Sequence, residues 1–506
     1  RSFPRLQSSV EVPEVETSLF TGLDVTIVGT ARFAGSHAQE ITPSLETIGK
    51  LAARALNEYK PQQPLAIAQY LADGLAEVRK LRVTVRGWDP MTKANVDNIL
   101  ARKEAEFSDS LAKAHGVVVD ALSSVELVSP GESLEINANV YVGSLGTGDS
   151  KTLAPAVRLR LPEGWKQEGL KPEAAPQGGG GFRGRETPSI NSRFRATVPD
   201  NAQSTQPYWL ARPRTRDQYD WDNKMPRNLP FGPSVAEVNV DLLLNGQKIT
   251  ISQPVEYRFA DKTYGEIRRE LKVTPELTLT VEPAMLVIPS GSTNRTREVT
   301  VDITHNASRK TDGTVTLQVP AGWKVVGNDT PLSFTRQREK TSRMFKVTPP
   351  AGATGNFELR AVATAAGREL KEGYQVVSYP HIEQHLIYHE ARTKVNIFDL
   401  AVASNLKVGY VIGSGDDGPQ ALRQMGVSVN IINAAELASG DLSKYDVIVL
   451  GIRVYEVNED AIANNRRLLD YVSNGGTMIV QYNKPEFATG NFAPYSIKMA
   501  GSIRIT

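Results

Sequence analysis

Three groups of side chains in this sequence have residue types that bind ligands in proteins. The first is His381, His385 and His389, which holds half of the six histidines within nine residues. A helix or a strand would place all three rings on one side, and imidazole nitrogens bind zinc. Pro380 and a position between two domains favour a solvated connector instead, because metal sites usually take ligands from more than one element. The group is therefore a candidate metal site for which the connector interpretation is preferred.

The second group mixes aromatic rings with guanidinium groups. Aromatic faces stack on sugar rings and arginine pairs with acidic groups, so the stretch is a candidate glycan-binding strip. The same side chains would also suit a long loop packed over a β-sandwich, and this structural interpretation is favoured. The strip consists of Tyr208, Trp209, Arg212, Arg214, Tyr219 and Trp221.

The third group surrounds a Gly-Ser-Gly-Asp-Asp-Gly loop, residues 413–418, which follows an apolar strand and precedes Pro419. Main-chain amides of such loops hold anions at the carboxyl end of a doubly wound sheet. Two carboxylates argue against phosphate, and the known phosphate-binding and dinucleotide-binding fingerprints are absent, so a plain turn is favoured. If a ligand site exists here, we expect it to be lined from predicted strand ends by Ser414, Asp416, Asp417, Arg453, Tyr455 and Asn483.

An internal repeat predicts the elements that carry the first two groups. Two stretches of ten residues, ending just after Trp165 and Trp323, are nearly the same and share a Pro-x-Gly-Trp sequence. Alternating strands and Pro/Gly turns predict two immunoglobulin-like β-sandwiches, residues 118–262 with a long insertion and residues 275–380. Because Pro ends a strand, Gly permits a turn and Trp covers the end of a core, we expect both tryptophans to be structural.

The flanking regions have other patterns. Residues 1–40 form an irregular lead-in, and apolar stripes over residues 41–117 predict a helical bundle or hairpin. Thr42 with Pro43 is expected to start its first helix. Apolar runs that alternate with helical segments over residues 400–506 predict a doubly wound α/β domain, cut short. The fold class is therefore multidomain and mainly β, with helices at one end and an α/β domain at the other.

Composition narrows the classes of function. A net charge of +2 over 506 residues gives no reason to expect nucleic acid or an anionic membrane as partner. The chain has no cysteine, which removes disulfides, thiolate ligands and cysteine nucleophiles. No apolar run of about 18 residues occurs, so no transmembrane segment is predicted. Avoidance of cysteine fits a secreted, periplasmic or cell-surface protein, although chance or a reduced compartment would also allow it.

The order of these segments resembles the region that follows the catalytic domain in large bacterial PIG-L (LmbE-like) deacetylases. The likeness is carried by the paired Pro-x-Gly-Trp sandwiches and by the stretches Gln206–Leu210, Leu229–Pro233 and Val408–Asp417, and it covers most of residues 118–506. It implies that the sandwiches are similar to NEW3 domains, which are accessory modules of carbohydrate-active enzymes. It also implies that the last domain is similar to class I glutamine amidotransferases.

The catalytic motifs of those families are missing from this chain. PIG-L enzymes bind zinc through an Ala-His-Pro-Asp-Asp type motif, and no His-Pro-Asp occurs here. The amidotransferases need a Cys nucleophile at a strand-to-helix elbow, where this chain has Gly451, Ile452 and Arg453. The resemblance therefore implies no catalytic residue and no cofactor in this chain, with zinc expected in a catalytic domain that precedes it. Residues 1–24 would be the tail of that domain.

Two classes of function follow from the sequence. In the first, the chain is the non-catalytic accessory region of a zinc-dependent deacetylase of N-acetylated sugars, and it serves targeting, assembly or binding of a glycan or polysaccharide. In the second, it is a stand-alone structural or adhesive cell-surface protein of stacked β-sandwiches. Formation of a homo-oligomer is compatible with both, and a catalytic function would need a complete site that we do not find in the sequence.

Overall fold

The computed structural model describes residue 18 and residues 20–143, 156–171, 190–220 and 229–498. Much of the predicted lead-in, parts of the insertion and the last residues of the chain lie outside these ranges. The chain divides into two units, unit 1 with Arg1–Thr274 and Ser378–His385, and unit 2 with Pro275–Val377 and Leu386–Thr506. It is mainly β, with many sheets and a helical segment before them, which confirms that part of the predicted fold class. None of the described helices is long and apolar enough to cross a membrane.

Three α-helices open unit 1. The first of them begins at Ala38, so the predicted start at Thr42 was wrong. Thr42 lies inside the helix, just past its first turn, and its hydroxyl donates to the Ala38 carbonyl. Asp89 caps the third helix by accepting from the amides of the next turn. A Cβ at Gly74 would lie 2.4 Å from the Phe107 ring, so glycine permits close packing of the second and third helices. The helices are α1 (Ala38–Glu58), α2 (Ala68–Val85) and α3 (Pro90–Ala114), with short 3-10 helices at Val28–Phe33, Gly35–His37 and Pro64–Ile67.

The first β-sandwich completes most of unit 1. Its strands are β1 (Val118–Ser123), β2 (Leu127–Val128), β3 (Ser133–Tyr141), β4 (Ala156–Arg160), β5 (Lys166–Leu170), β6 (Ile190–Thr197), β7 (Glu237–Leu244), β8 (Gln247–Pro254), β9 (Glu256–Asp261), β10 (Gly265–Glu270) and β11 (Lys272–Val273). One sheet has the order β10-β9-β1-β3-β6-β5, a second has β4-β7-β8, and β2 pairs with β11. Buried side chains alternate along β3 and β7, and they share one hydrophobic core with the helices.

The second β-sandwich lies in unit 2, and its segment of the chain also includes β21 and β22, which are divided between the two units. Its strands are β12 (Leu277–Glu282), β13 (Met285–Pro289), β14 (Arg297–His305), β15 (Thr311–Gln318), β16 (Lys324–Val326), β17 (Thr330–Phe334), β18 (Lys340–Thr348), β19 (Gly355–Ala365), β20 (Arg368–Leu370), β21 (Glu372–Tyr379), β22 (Ile382–Glu390) and β23 (Arg392–Phe398). One sheet has the order β12-β14-β18-β16 and the other β13-β23-β19-β15-β17, with β20 on β19. Since β23 pairs with both β13 and β19, the sandwich extends past residue 380.

The two sandwiches repeat one strand order. The row β1-β3-β6-β5 in the first corresponds to β12-β14-β18-β16 in the second. Likewise β4-β7-β8 corresponds to β15-β19-β20, and the parallel pair β2–β11 corresponds to β13–β23. The repeat seen in the sequence is therefore a repeat of topology.

The Pro-x-Gly-Trp sequence forms the same turn in both copies. The Trp165 and Trp323 amides donate to the prolyl carbonyls three residues earlier, at 3.3 and 3.2 Å. Gly164 and Gly322, which directly precede these tryptophans, have φ of 85° and 82°, and glycine adopts such angles without strain. Trp323 is 9% exposed within the core, and Trp165 packs against the core of the first sandwich, as expected for structural tryptophans.

The last described segment of unit 2 contains a parallel sheet flanked by short helices. Its elements are β24 (Lys407–Val411), α4 (Gly418–Gln424), β25 (Ser428–Ile431), α5 (Ala434–Ser439), β26 (Val447–Leu450), α6 (Val454–Val457), α7 (Glu459–Ala463), α8 (Asn465–Ser473), β27 (Thr477–Val480) and α9 (Glu486–Thr489). The four strands have the order β25-β24-β26-β27 and are parallel. The carboxyl ends of β24 and β26 therefore lie side by side, where the third group of candidate residues was expected.

Candidate functional site

Four aromatic rings of unit 1 follow one another and form what we call the aromatic cluster: Tyr208, Trp209, Phe231 and His385. The Tyr208 and Trp209 rings meet edge to face with centroids 5.1 Å apart. Trp209 and Phe231 are 5.8 Å apart and tilted, and Phe231 stacks on His385 at 4.3 Å. Three separate segments of the chain therefore build one row of rings.

Hydrogen bonds to main-chain groups fix two of these segments. Thr205 is tied to β11, because its amide donates to the Val273 carbonyl at 2.8 Å and its hydroxyl accepts from the Val273 amide at 2.9 Å. A short 3-10 helix, Tyr208–Leu210, then turns the first two rings. The Tyr208 hydroxyl donates to the Leu229 carbonyl at 2.7 Å, which holds the segment carrying Phe231. The rings are thus positioned by the scaffold and by each other.

The cluster leaves apolar surface open to solvent. Phe231 is 46% exposed and the neighbouring Leu229 is 53% exposed, whereas Tyr208 and Trp209 are half-buried. Exposed aromatic surface of this kind costs solvation free energy unless a partner covers it. Flat rings of this size match the apolar faces of sugar rings.

The surroundings of His385, the histidine of the cluster, favour its uncharged form. Burial and the nearby Lys272 ammonium lower the pKa of His385 below its ordinary value, against smaller opposing effects of Glu383 and Glu270. The His385 Nε2 atom is buried and has no hydrogen-bond partner among the described residues. Lys272 is itself 4% exposed and pairs with Glu383 at 3.1 Å. A neutral ring on Phe231 suits contact with an uncharged ligand.

The cluster contains only part of the predicted glycan strip. Tyr208 and Trp209 belong to it, while Arg212, Arg214 and Tyr219 lie on the exposed segment that follows. The Arg212 guanidinium pairs with Asp220 at 3.3 Å. Trp221 lies outside the described residues.

Sequence reasoning missed the contributions of Phe231 and His385 to this site. Phe231 stands in a Leu-Pro-Phe-Gly-Pro stretch, and a lone aromatic between turn residues is a signal that could have suggested it. His385 was assigned to a metal group, and nothing local in the sequence links it to residue 231. Tertiary contact alone brings the two rings together.

The three candidate metal ligands have different surroundings. His381 is exposed before β22, with its ring centroid 6.0 Å from that of Tyr379, and His389 Nδ1 lies 3.3 Å from the Glu390 carbonyl oxygen. Among the described residues, no group of three His, Asp or Glu side chains is arranged to hold a metal ion. The segment forms a β-hairpin, because β22 pairs with β21.

In the loop of residues 413–418, which we call the glycine loop, several polar groups make hydrogen bonds within the chain. The Ser414 amide donates to the Ile452 carbonyl at 2.7 Å. Asp416 accepts from the Tyr410 hydroxyl at 2.6 Å and from the Gly418 amide at 2.9 Å. Burial, followed by the Asp416 carboxylate, raises the pKa of Tyr410. Asp417 is exposed at the start of α4 and makes no capping hydrogen bond there.

The neighbouring candidates also bind each other. The Tyr455 amide donates to the Asn483 side-chain oxygen at 3.2 Å, and the Tyr455 hydroxyl donates to Asn465 at 2.6 Å. Arg453 pairs with Glu456 at the beginning of α6, and Lys484 reaches the same carboxylate at 2.9 Å.

Two pKa shifts follow from these contacts. Hydrogen bonds from Arg453 and Lys484 lower the pKa of Glu456 to about 2. Burial raises the pKa of Tyr455, which is 4% exposed. Among the candidates, Tyr455 and Asn483 bind each other, whereas Asp416 and Arg453 pair with residues outside the candidate set. Such contacts are typical of a structural turn.

Comparisons with known proteins identify no family. No family model and no curated protein matches the chain. Native α2-macroglobulin from Escherichia coli is 13% identical over 24% of this chain and 16% of its own, with a TM-score of 0.16. The apo CBD1 domain of Calx is 16% identical over 25% of this chain and 98% of its own, with a TM-score of 0.16. Salmonella α2-macroglobulin reacted with methylamine is 10% identical over 56% of this chain and 16% of its own, with a TM-score of 0.19.

Proposed function

We propose that the chain is the non-catalytic accessory region of a PIG-L-like zinc-dependent deacetylase, and that its aromatic cluster contacts N-acetylated glycans. The observation that supports this is the row of four rings, in which Phe231 is exposed and the lowered pKa of His385 favours its neutral form. Stacking on such rings is mainly apolar and needs no charged partner. The zinc ion and the catalytic residues would belong to a preceding domain. A secreted, periplasmic or cell-surface location fits this function.

We further propose that the last segment is a doubly wound domain similar to class I glutamine amidotransferases, without their activity. The strand order β25-β24-β26-β27 supports this assignment, and so does the turn after β26. Arg453 has a left-handed conformation there, with φ 57°, at the strand-to-helix position where those enzymes need a Cys nucleophile. Its guanidinium pairs with Glu456, so the residue stabilises the turn instead of reacting.

The proposal is tested by titrating the full chain with chitotetraose, an uncharged N-acetylated oligosaccharide, in a calorimeter. We expect saturable binding that weakens about tenfold in Trp209→Ala and in Phe231→Ala, since an aromatic contact adds about 0.5–1.5 kcal/mol beyond its buried area. Tyr219→Ala is the matched control, because it removes a half-exposed ring outside the cluster and should keep the wild-type affinity. Wild-type affinity in both cluster variants would overturn the proposal.

The repeated strand order favours a second candidate, a stand-alone adhesive protein of stacked sandwiches. Sequencing the gene upstream of the codon for Arg1 distinguishes the deacetylase proposal from the adhesive protein. A His-Pro-Asp-Asp motif within about 250 residues, the size of a large domain, supports the deacetylase proposal. Further sandwich repeats in that position, without the motif, support the adhesive protein.

A further inference from the structure

A cavity of about 800 Å³ lies in unit 2 between the second sandwich and α4. It is separate from both the aromatic cluster and the glycine loop. Its walls come from β13, from the start of β14, from α4 and from residues 400–402. None of these residues belongs to a candidate site predicted from the sequence.

Gln424, the last residue of α4, fixes one wall of the cavity. Its side-chain oxygen accepts from the Val287 amide at 2.6 Å, and its side-chain nitrogen donates to the Met285 carbonyl at 3.2 Å. The side chain therefore pairs with β13 as a strand would. These hydrogen bonds join α4 to β13, and both elements line the cavity.

Arg297 places a half-buried positive charge in this cavity. Its guanidinium donates to the carbonyls of Asn294 and Thr296, both at 3.0 Å, and to the Gln424 carbonyl at 3.4 Å. It forms no ion pair among the described residues, and burial lowers the pKa of Arg297 from its ordinary value. The carbonyls hold the guanidinium in place without neutralising its charge.

Arg423 of α4 supplies a second cation. One of its terminal nitrogens donates to the Val429 carbonyl at 3.0 Å, and it too forms no ion pair with the described residues. Glu298 is the one acid among the described residues that line the cavity. Its carboxylate lies 3.6 Å from the Lys346 ammonium, which offsets its charge. The cavity is therefore electropositive.

We propose that this cavity binds the oxyanion group of a small molecule, a carboxylate or a phosphate, through Arg297 and Arg423. A guanidinium offers paired N–H donors that match both groups, and its interaction with an anion strengthens where water is partly excluded. Three main-chain carbonyls already orient the Arg297 guanidinium, so little of its side-chain freedom remains to be lost on binding.

The experiment titrates the full chain with inorganic phosphate and, separately, with glucuronate, each at constant ionic strength maintained with chloride. We expect saturable binding of at least one of them, weakened about tenfold by Arg423→Gln and more by Arg297→Gln with Arg423→Gln, because a charged hydrogen bond is lost at each step. The two arms distinguish a phosphate from a carboxylate ligand.

Arg466→Gln is the control, because it removes the same charge from an exposed side chain on α8 that does not line the cavity. It should bind like the wild type. Equal weakening in Arg466→Gln, or no saturable binding of either anion, would overturn the proposal. Arg423 is exposed, so its single variant is expected to fold, and circular dichroism checks this for every variant.

Discussion

The aromatic cluster and the glycine loop are both candidate sites, and they differ in exposed apolar surface and in the hydrogen bonds of their polar side chains. In the cluster, Phe231 keeps nearly half of its surface exposed and His385 Nε2 has no hydrogen-bond partner among the described residues. Around the loop, Asp416, Tyr455 and Asn483 make hydrogen bonds to their neighbours. Position at a strand end is therefore compatible with polar side chains that are already hydrogen-bonded within the chain.

The largest expected effect concerns stability near the glycine loop. Tyr455→Ala removes a 4% exposed ring that stacks on Phe492 at 4.5 Å, and it should lower the free energy of unfolding by about 3–5 kcal/mol. Tyr455→Phe removes only the hydrogen bond to Asn465 and should cost about 1 kcal/mol. Urea unfolding of both variants measures the difference. If Tyr455→Ala leaves the unfolding curve of unit 2 unchanged, Tyr455 is not the structural residue described here.

A smaller effect is expected for the hydrogen bond that connects Tyr208 to the segment carrying Phe231. Tyr208→Phe keeps the ring but removes the donor to the Leu229 carbonyl, at a cost of about 1 kcal/mol in the stability of that segment. Because this bond positions the segment carrying Phe231, chitotetraose affinity should fall as well, by less than in Phe231→Ala. Calorimetry and limited proteolysis measure the two effects. An unchanged affinity would show that the segment is held by other contacts.

Titration of His385 should make the stability of unit 1 depend on pH. Its pKa in the folded protein lies below the ordinary 6.5, so the unfolded chain binds the proton more readily. The contribution of the neutral ring is therefore present above about pH 6.5 and is lost as the pH falls toward the folded value. Between about pH 7.5 and pH 5.5, His385→Gln should flatten the decline of the unfolding midpoint, and His381→Gln, which changes an exposed ring, should not. Identical slopes in the two variants would contradict the assignment to His385.

The smallest effect is expected for Arg212→Ala, which removes an exposed pair with Asp220. Pairs of this kind contribute about 0–1 kcal/mol, so the unfolding midpoint should change little. Its chitotetraose affinity should also stay near the wild-type value, since the proposed contact is made by the rings. A loss of affinity as large as in Phe231→Ala would indicate that the glycan-binding site includes Arg212 of the predicted strip.

Local signals predicted the elements well where a short segment is sufficient to define them. In the structure, Asp89 before Pro90 caps α3 by accepting from amides two and three residues away, which is an interaction within one turn of the chain. The start of α1 was predicted four residues too late, because no capping side chain marks it and packing decides where it begins. The third group of site residues follows β24, β26 and β27 along the chain, but the sequence does not reveal that Asp416, Tyr455 and Asn483 make hydrogen bonds to their neighbours.

The sequence by itself determined the repeated sandwiches and the Pro-x-Gly-Trp turn, since alternation, glycine at positive φ and the prolyl restriction all act within a few residues. Only the tertiary structure decided which aromatic residues meet, because Trp209, Phe231 and His385 are separated by up to 176 positions and no local pattern links them. The tertiary structure also decided which charged side chains have no oppositely charged partner among the described residues. Arg297 became a candidate anion ligand through the carbonyls and helix that surround it, and those surroundings exist only in the folded chain.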